Sequence, residues 1–367
     1  CIRDSRMIVE SVELKNFRNY RELKLLFDEK TNIFYGDNAQ GKTNILEAVY
    51  LSGTTKSHKG SRDRDMIYFG EEEAHLRTFV KKRELEYQID IHLKKNKAKG
   101  IAINGVPIRK ASELFGIANF VFFSPEDLSI IKQGPAERRR FLDMELCQLD
   151  KVYLHQLSGY NRILVQRNRL LKDLSFRPEL IDTLDVWDLQ LAEYGKKVIE
   201  GREDFIRSLG EIVQRIHRNL SGGRENLRIS YEKNVSREEL YEVIRQNREK
   251  DIRLKTTNAG PHRDDLLFEA DGVDIRKFGS QGQQRTAALS LKLSEIELVK
   301  QVIRDTPVLL LDDVLSELDQ NRQNYLLNSI HDIQTLITCT GLDEFVGHRF
   351  SINKIFKVVE GSVICEN

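Results

Sequence analysis

The chain has 367 residues, 40% hydrophobic and 31% charged, which is enough for two lobes with separate apolar cores and too structured a composition for disorder. Its 58 basic and 57 acidic side chains leave a net charge of +1. That balance excludes recognition of nucleic acid by bulk charge and leaves only local basic patches, or a surface assembled from two copies. No apolar run approaches the ~20 residues a membrane span needs.

Cys1–Arg6 precede Met7 and read as a start-site artefact outside the fold, and no signal-peptide pattern opens the chain. Met7–Leu14 alternates apolar and polar residues and predicts a strand. Glu22–Phe27 and Asn32–Tyr35 predict two more, followed by a glycine-bearing loop and a helix from Lys42 to Leu51. Ala74–Ile108 is rich in β-branched and aromatic residues, with Asn104–Gly105 marking a hairpin. Ala118–Phe123 predicts a buried strand.

At Pro135 the texture changes. Ala136 to Asn219 reads as helical, with Leu142, Leu146, Leu149 and Leu157 at apolar positions, a break at Pro178 and an end at Gly222–Gly223. A strand over Leu227–Tyr231 and a helix from Arg237 to Lys250 follow. From Thr256 the α/β texture returns: a strand at Asp265–Ala270, a helix at Gln281–Val302, a short strand at Val308–Leu311, a helix at Asp319–Ile330 and a strand at Gln334–Thr338. The division is 7–134 for the first half of an α/β lobe, 135–255 for an inserted helical lobe, and 256–367 for the second half of the first lobe.

Gly36-Asp37-Asn38-Ala39-Gln40-Gly41-Lys42-Thr43 fits the GxxxxGK[ST] phosphate loop. The glycines let the backbone wrap so that successive N–H groups face phosphate oxygens, and the helix that follows adds its positive end. Lys42 would reach the β- and γ-phosphates of ATP, and the Thr43 hydroxyl would ligate Mg²⁺. Val308–Leu311 runs into Asp312 and Asp313, placing two carboxylates at the carboxyl end of a buried strand, where α/β sheets bind ligands. Asp312 would hold Mg²⁺ and Asp313 would polarise the attacking water.

Ser280-Gln281-Gly282-Gln283-Gln284 opens the long helix before that strand and resembles the signature of ATP-binding-cassette proteins. It combines a hydroxyl, a glycine and a helix N-terminus, which together form a second anion site. One copy's phosphate loop already surrounds its nucleotide, so this segment makes sense closing on ATP held by a second copy. Ser316-Glu317-Leu318-Asp319 resembles the loop that follows the magnesium strand in that class.

Asn16–Tyr20, Gly260–Asp265, Ser280–Arg285, Leu309–Asp319, Phe123–Leu128 and Glu137–Asp143 together resemble the RecF family, over nearly the whole chain after Met7. The resemblance implies a P-loop ATPase lobe of the cassette type, with a mixed sheet and an antiparallel β subdomain, carrying an inserted helical lobe. It implies a cytoplasmic protein that binds ATP, dimerises around it, binds gapped DNA at single-/double-strand junctions, and acts with RecO and RecR to load RecA, hydrolysing ATP slowly for release. It places Arg18 near the nucleotide and Ser280 on the γ-phosphate of the partner's ATP. An SMC-like structural clamp is the alternative, but Pro135–Lys250 is too short for its heptad-repeat arms. A transporter subunit would need a glutamine near Phe123–Asp127 and a histidine after Gln334–Ile337, where this chain has Thr338 and Thr340.

Lys56, Lys59, Arg62 and Arg64, and Lys94, Lys95, Lys97 and Lys99 beside the Asn104–Gly105 hairpin, are candidate DNA-phosphate contacts or solvated faces. Arg138–Arg140 are expected to pair with Glu137 and Asp143. His262 and Arg263 either hold the signature loop or touch nucleotide, and Trp187 is expected in packing. Cys1, Cys147, Cys339 and Cys365 contain no CxxC pair and read as free thiols.

Overall fold

The computed structural model describes residues 6–342 and 352–366. The chain opens with β1 (Ile8–Phe17), β2 (Tyr20–Leu26), β3 (Thr31–Tyr35) and α1 (Lys42–Thr54). Next come β4 (Glu73–Lys82), β5 (Leu85–Lys94), β6 (Lys97–Ile103), β7 (Val106–Pro107) and β8 (Phe120–Phe123). The helical stretch comprises α2 (Leu128–Lys132), α3 (Pro135–Leu149), α4 (Lys151–Asp173) and α5 (Leu184–Leu220). It is followed by β9 (Leu227–Glu232), α6 (Leu240–Gln246), α7 (Arg248–Leu254), β10 (Asp265–Ala270), β11 (Val273–Asp274), α8 (Ile275–Phe278) and α9 (Gln281–Ile303). The chain closes with β12 (Val308–Asp312), α10 (Gln320–Ser329), β13 (Thr335–Cys339), β14 (Lys354–Val359) and β15 (Ser362–Glu366).

Two compact units result. One comprises Cys1–Asp127 with Lys292–Asn367, the other Leu128–Leu291, so the boundary falls within α9. The first holds two six-stranded sheets. An antiparallel sheet runs β2-β1-β4-β5-β6-β7, and its strands alternate a buried apolar face with a charged one. The other runs β15-β14-β3-β13-β12-β8, with β14, β3, β13, β12 and β8 parallel. Its central strands β3, β13 and β12 are apolar runs buried throughout or nearly so, as strands covered on both faces must be. α1 packs against strands of both sheets and buries almost every residue, which explains why it carries no polar face.

In the second unit α4 and α5 pack together. α5 spans 37 residues, roughly 55 Å at 1.5 Å per residue. Trp187 packs on the Leu170–Leu171–Leu174–Leu184 cluster, as expected. Three guanidiniums among the described residues sit in this unit's interior, those of Arg138, Arg167 and Arg202. Arg167, fully buried, donates to Asp188 at 2.6 Å, Asp251 at 2.7 Å and Thr257 at 2.8 Å. Arg202 donates to Asp143 at 2.8 Å, Asp264 at 3.2 Å and the Pro261 carbonyl at 2.7 Å.

Three local readings differ from the sequence-based ones. Residues 256–291 pack in the second unit, because β10 pairs with β9 on one side and β11 on the other. The helix expected from Arg237 to Lys250 is broken into α6 and α7 at Asn247, whose side chain and backbone N–H both donate to the Val243 carbonyl. Lys94, Lys95, Lys97 and Lys99 gather at the β5–β6 turn, the opposite end of β6 from Asn104–Gly105. Lys94, Lys95 and Lys99 pair there with Glu73, Glu72 and Asp63.

Candidate nucleotide site

The phosphate loop leaves the carboxyl end of β3 and enters α1 at Lys42. Two glycines permit its path. At Gly36, with φ of 148°, a Cβ would lie 2.3 Å from the Val358 carbonyl of β14. At Gly41, with φ of 111°, a Cβ would lie 2.4 Å from Asn19 Nδ2 and 2.8 Å from the Tyr20 hydroxyl. Both positions therefore exclude a side chain by backbone angle and by space.

Neighbours from distant parts of the chain clamp the loop. Asn19 Nδ2 donates to the Gln40 carbonyl at 3.0 Å, and its Oδ1 accepts from Asn44 at 2.8 Å. The Tyr20 hydroxyl donates to the Gly41 carbonyl at 3.1 Å. In the β14–β15 turn the Glu360 N–H donates to Gln40 Oε1 at 2.5 Å. Within the loop, Lys42 Nζ donates to the carbonyls of Gly36 at 2.5 Å and Asp37 at 2.7 Å. Burial lowers the Lys42 pKa from the usual lysine value, against the pull of Asp313 and Asp312.

β12 and β3 flank β13, which brings Asp312 to the loop. Asp312 Oδ1 accepts from Thr43 at 2.7 Å and from Thr338, at the end of β13, at 2.7 Å. Burial raises its pKa; the bonds from Thr338 and Thr43 oppose that rise. These hard oxygen ligands suit Mg²⁺. Asp313 has φ of 52° and its N–H donates to Thr338 Oγ1 at 3.0 Å. That left-handed backbone favours Asp over the longer acid usual in cassette ATPases. Ser316 Oγ donates to the Asp313 carbonyl at 2.9 Å. Asp319 caps α10 through the Arg322 N–H at 3.1 Å and pairs with the Arg322 guanidinium at 2.6 Å.

Arg18 also has left-handed φ, at 54°. Its guanidinium grips Glu47 of α1 with two bonds, at 2.7 and 2.8 Å, and also donates to Ser61 and the Asp65 carbonyl. Glu47, 1% exposed, further accepts from Ser57. Lys56, Lys59, Arg62 and Arg64 stay on the surface beyond α1, Lys59 and Arg64 pairing with Glu126 and Asp65.

The second unit holds the other motif. Ser280 Oγ accepts from the Gln283 N–H at 3.2 Å, and Gln283 Oε1 accepts from the Ser280 N–H at 2.9 Å, a reciprocal cap at the start of α9. Gln283 Nε2 donates to Glu225 at 3.1 Å, whose other oxygen lies 3.2 Å from Nε2 of buried His217. Ser280, Gln281 and Gly282 are exposed. A Cβ on Gly282 would meet nothing closer than Ser280 Oγ at 3.9 Å.

The Gly260–Asp265 run serves the interior of this unit. His262 Nε2 lies 3.0 Å from the Thr257 carbonyl, an acceptor only, so the ring proton sits there and Nδ1 accepts from the Tyr160 hydroxyl at 2.6 Å. Burial lowers the His262 pKa to about 4. Arg138 pairs with Asp265 at 2.5 Å and Arg139 donates to the Asp264 carbonyl, while Arg140 reaches Glu137 at 3.8 Å as expected. Asp143, expected to pair with that arginine run, is taken by Arg202.

The sequence reading missed Thr338 as a partner of both aspartates, Glu47 as the counter-ion of Arg18, and the Glu360 turn on Gln40. Each depends on a long-range contact that no local pattern announces. The pairing of Thr43 with Asp312 was implicit in the two motifs.

Comparison with known proteins gives the same grouping. The RecF/RecN/SMC N terminal domain family matches residues 8–360. The DNA replication and repair protein RecF of Agathobacter rectalis is 67% identical, over 97% of this chain and 99% of that one. The solved structure of the recombination mediator protein RecF with ATP, of the RecFOR pathway, superposes with a TM-score of 0.93 at 36% identity, covering 100% of this chain and 99% of that one. An Smc head domain from Pyrococcus furiosus shares the fold at a TM-score of 0.57 and 18% identity, over 98% and 96% of the two chains. Among the described residues no helix is long and apolar enough to cross a membrane. From the phosphate loop, the aspartate strand and these likenesses, the chain belongs to the RecF family of DNA replication and repair proteins.

Proposed function

We propose that this chain is an ATP-gated DNA-binding protein of gap repair, in which two copies close on ATP, the dimer holds a single-/double-strand junction, and slow hydrolysis releases it. By family resemblance it acts with RecO and RecR to load RecA. Residues Gly36–Thr43 would wrap the phosphates. Lys42 would leave the Gly36 and Asp37 carbonyls for the β- and γ-phosphates, a short swing for a side chain already bonded inside the loop. Thr43 and Asp312 would hold Mg²⁺, which when bound neutralises charge between those phosphates. Asp313 would accept the proton of the attacking water. Arg18 and Asp319 would border the nucleotide, Arg18 through the Glu47 pair that braces α1.

Gly282 carries the dimer reading. A glycine in a helix interior costs about 0.5–1 kcal/mol relative to alanine, and one in the first turn, as here, costs less but is still disfavoured. Nothing among the described residues crowds that position, so its smallness makes sense if something outside approaches the backbone there. The phosphate of ATP on a second copy is such a group, and Ser280 Oγ and Gln283 stand beside the same exposed backbone.

Sedimentation velocity with and without ATP–Mg²⁺ tests this. The unmodified chain should shift from monomer to dimer on adding ATP. Ser280→Arg should bind ATP with unchanged affinity and stay monomeric. A Ser280→Arg chain that dimerises like the parent would end the trans-signature model.

A further inference from the structure

The charged face of the antiparallel sheet carries a cluster that the ATPase reading does not use. His75 of β4 and His92 of β5 are direct cross-strand partners. Their rings stack at 3.8 Å between centroids with 24° between planes. Glu73, two residues before His75 on the same face, reaches both, with Oε2 3.0 Å from His92 Nε2 and Oε1 3.8 Å from His75 Nε2. The ligand atoms of all three lie within 4.8 Å of one another.

A tetrahedral zinc ion bound at about 2.0–2.1 Å sets its ligand atoms about 3.3 Å apart. The observed carboxylate–imidazole separations, to the two oxygens of Glu73, straddle that value, and the stacked rings must turn out of their near-parallel planes for their in-plane nitrogens to converge on one ion. The row across the sheet leaves room for the ion. The partner of His92 on β6 is Gly100, which places no side chain beside the ring. His75 and His92 line a hollow of about 760 Å³, open to solvent for a further water ligand. Two imidazoles and one carboxylate suit zinc and its neighbours, whereas Mg²⁺ and Ca²⁺ require oxygen ligands. Lys94 Nζ sits 3.7 Å from the same Glu73 oxygen and is the resident competitor for it.

We propose that Glu73, His75 and His92 form a binding site for a divalent first-row transition ion of the zinc class, which staples β4 to β5. The site is separate from Thr43 and Asp312 in both residues and ligand chemistry.

The test is a zinc titration of the full, chelator-stripped chain without nucleotide, read by competition with a chromophoric zinc indicator. The unmodified chain should take up one more equivalent than His75→Asn/His92→Asn, with circular dichroism showing that both are folded. Glu73→Gln should weaken that equivalent by about tenfold or more. Lys94→Ala should tighten it, an effect that simple ring stacking does not produce. Excess Mg²⁺ should leave it unchanged. Equal stoichiometry and affinity in parent and double variant, or no zinc bound by the parent, would overturn the proposal, as would displacement by Mg²⁺.

Discussion

Burial more than charge sets the protonation of Lys42, Asp312 and His262, and His262 shows how that reaches stability. Burial holds its folded pKa at about 4, below the usual 6.5 of a histidine. Between those values the unfolded chain binds the extra proton, so stability is complete above pH 6.5 and declines as pH falls toward 4. The decline attributable to this one group is about 2–3 kcal/mol. Urea unfolding across that range should show a flatter profile for His262→Gln, whose amide can still meet Tyr160 and Thr257. Identical slopes would mean that the ring is not held neutral. Asp313 is read through its backbone instead, with φ of 52°. Its left-handed backbone is legible only in three dimensions, although the presence of Asp at that position was visible in the sequence.

At the level of elements, the phosphate loop, the aspartate strand and the reciprocal cap on α9 were all readable, because each is a local pattern with a fixed spacing. What escaped was pairing between segments far apart in sequence. β10 looked like the return of the first lobe, yet its partners are β9 and β11. The lysines of β5 and β6 looked like a patch around one turn and belong to the other. Helix energetics separate the two kinds of glycine found here. Gly282→Ala should stabilise α9 in thermal unfolding, by less than the ~0.5–1 kcal/mol of an interior position, while weakening ATP-driven dimerisation in sedimentation. Gly36→Ala, facing the Val358 carbonyl at 2.3 Å, should lose stability instead. A Gly282→Ala chain that dimerises normally would leave that glycine unexplained.

For the whole molecule, the proposed cycle couples assembly to hydrolysis, so blocking chemistry should hold the assembled state. Asp313→Asn preserves the fold, because Asn accepts φ of 52° as readily as Asp does. It should lower ATP turnover by about a hundredfold or more, the usual contribution of a general base, and leave a dimer that persists through gel filtration after free ATP is removed. Turnover at the parent rate would remove Asp313 from the role of base.

The Glu360–Gln40 bond joins residues 320 positions apart, and β3 has as its two sheet neighbours β13 and β14, both made far later in synthesis than β3 itself. A nascent chain that has emerged from the ribosome through its first hundred residues therefore carries the nucleotide motif without the walls that shape it. Such non-local closure slows folding. On the proposed reading, half-made chains should bind nucleotide poorly until the Glu360 turn and β13 are in place.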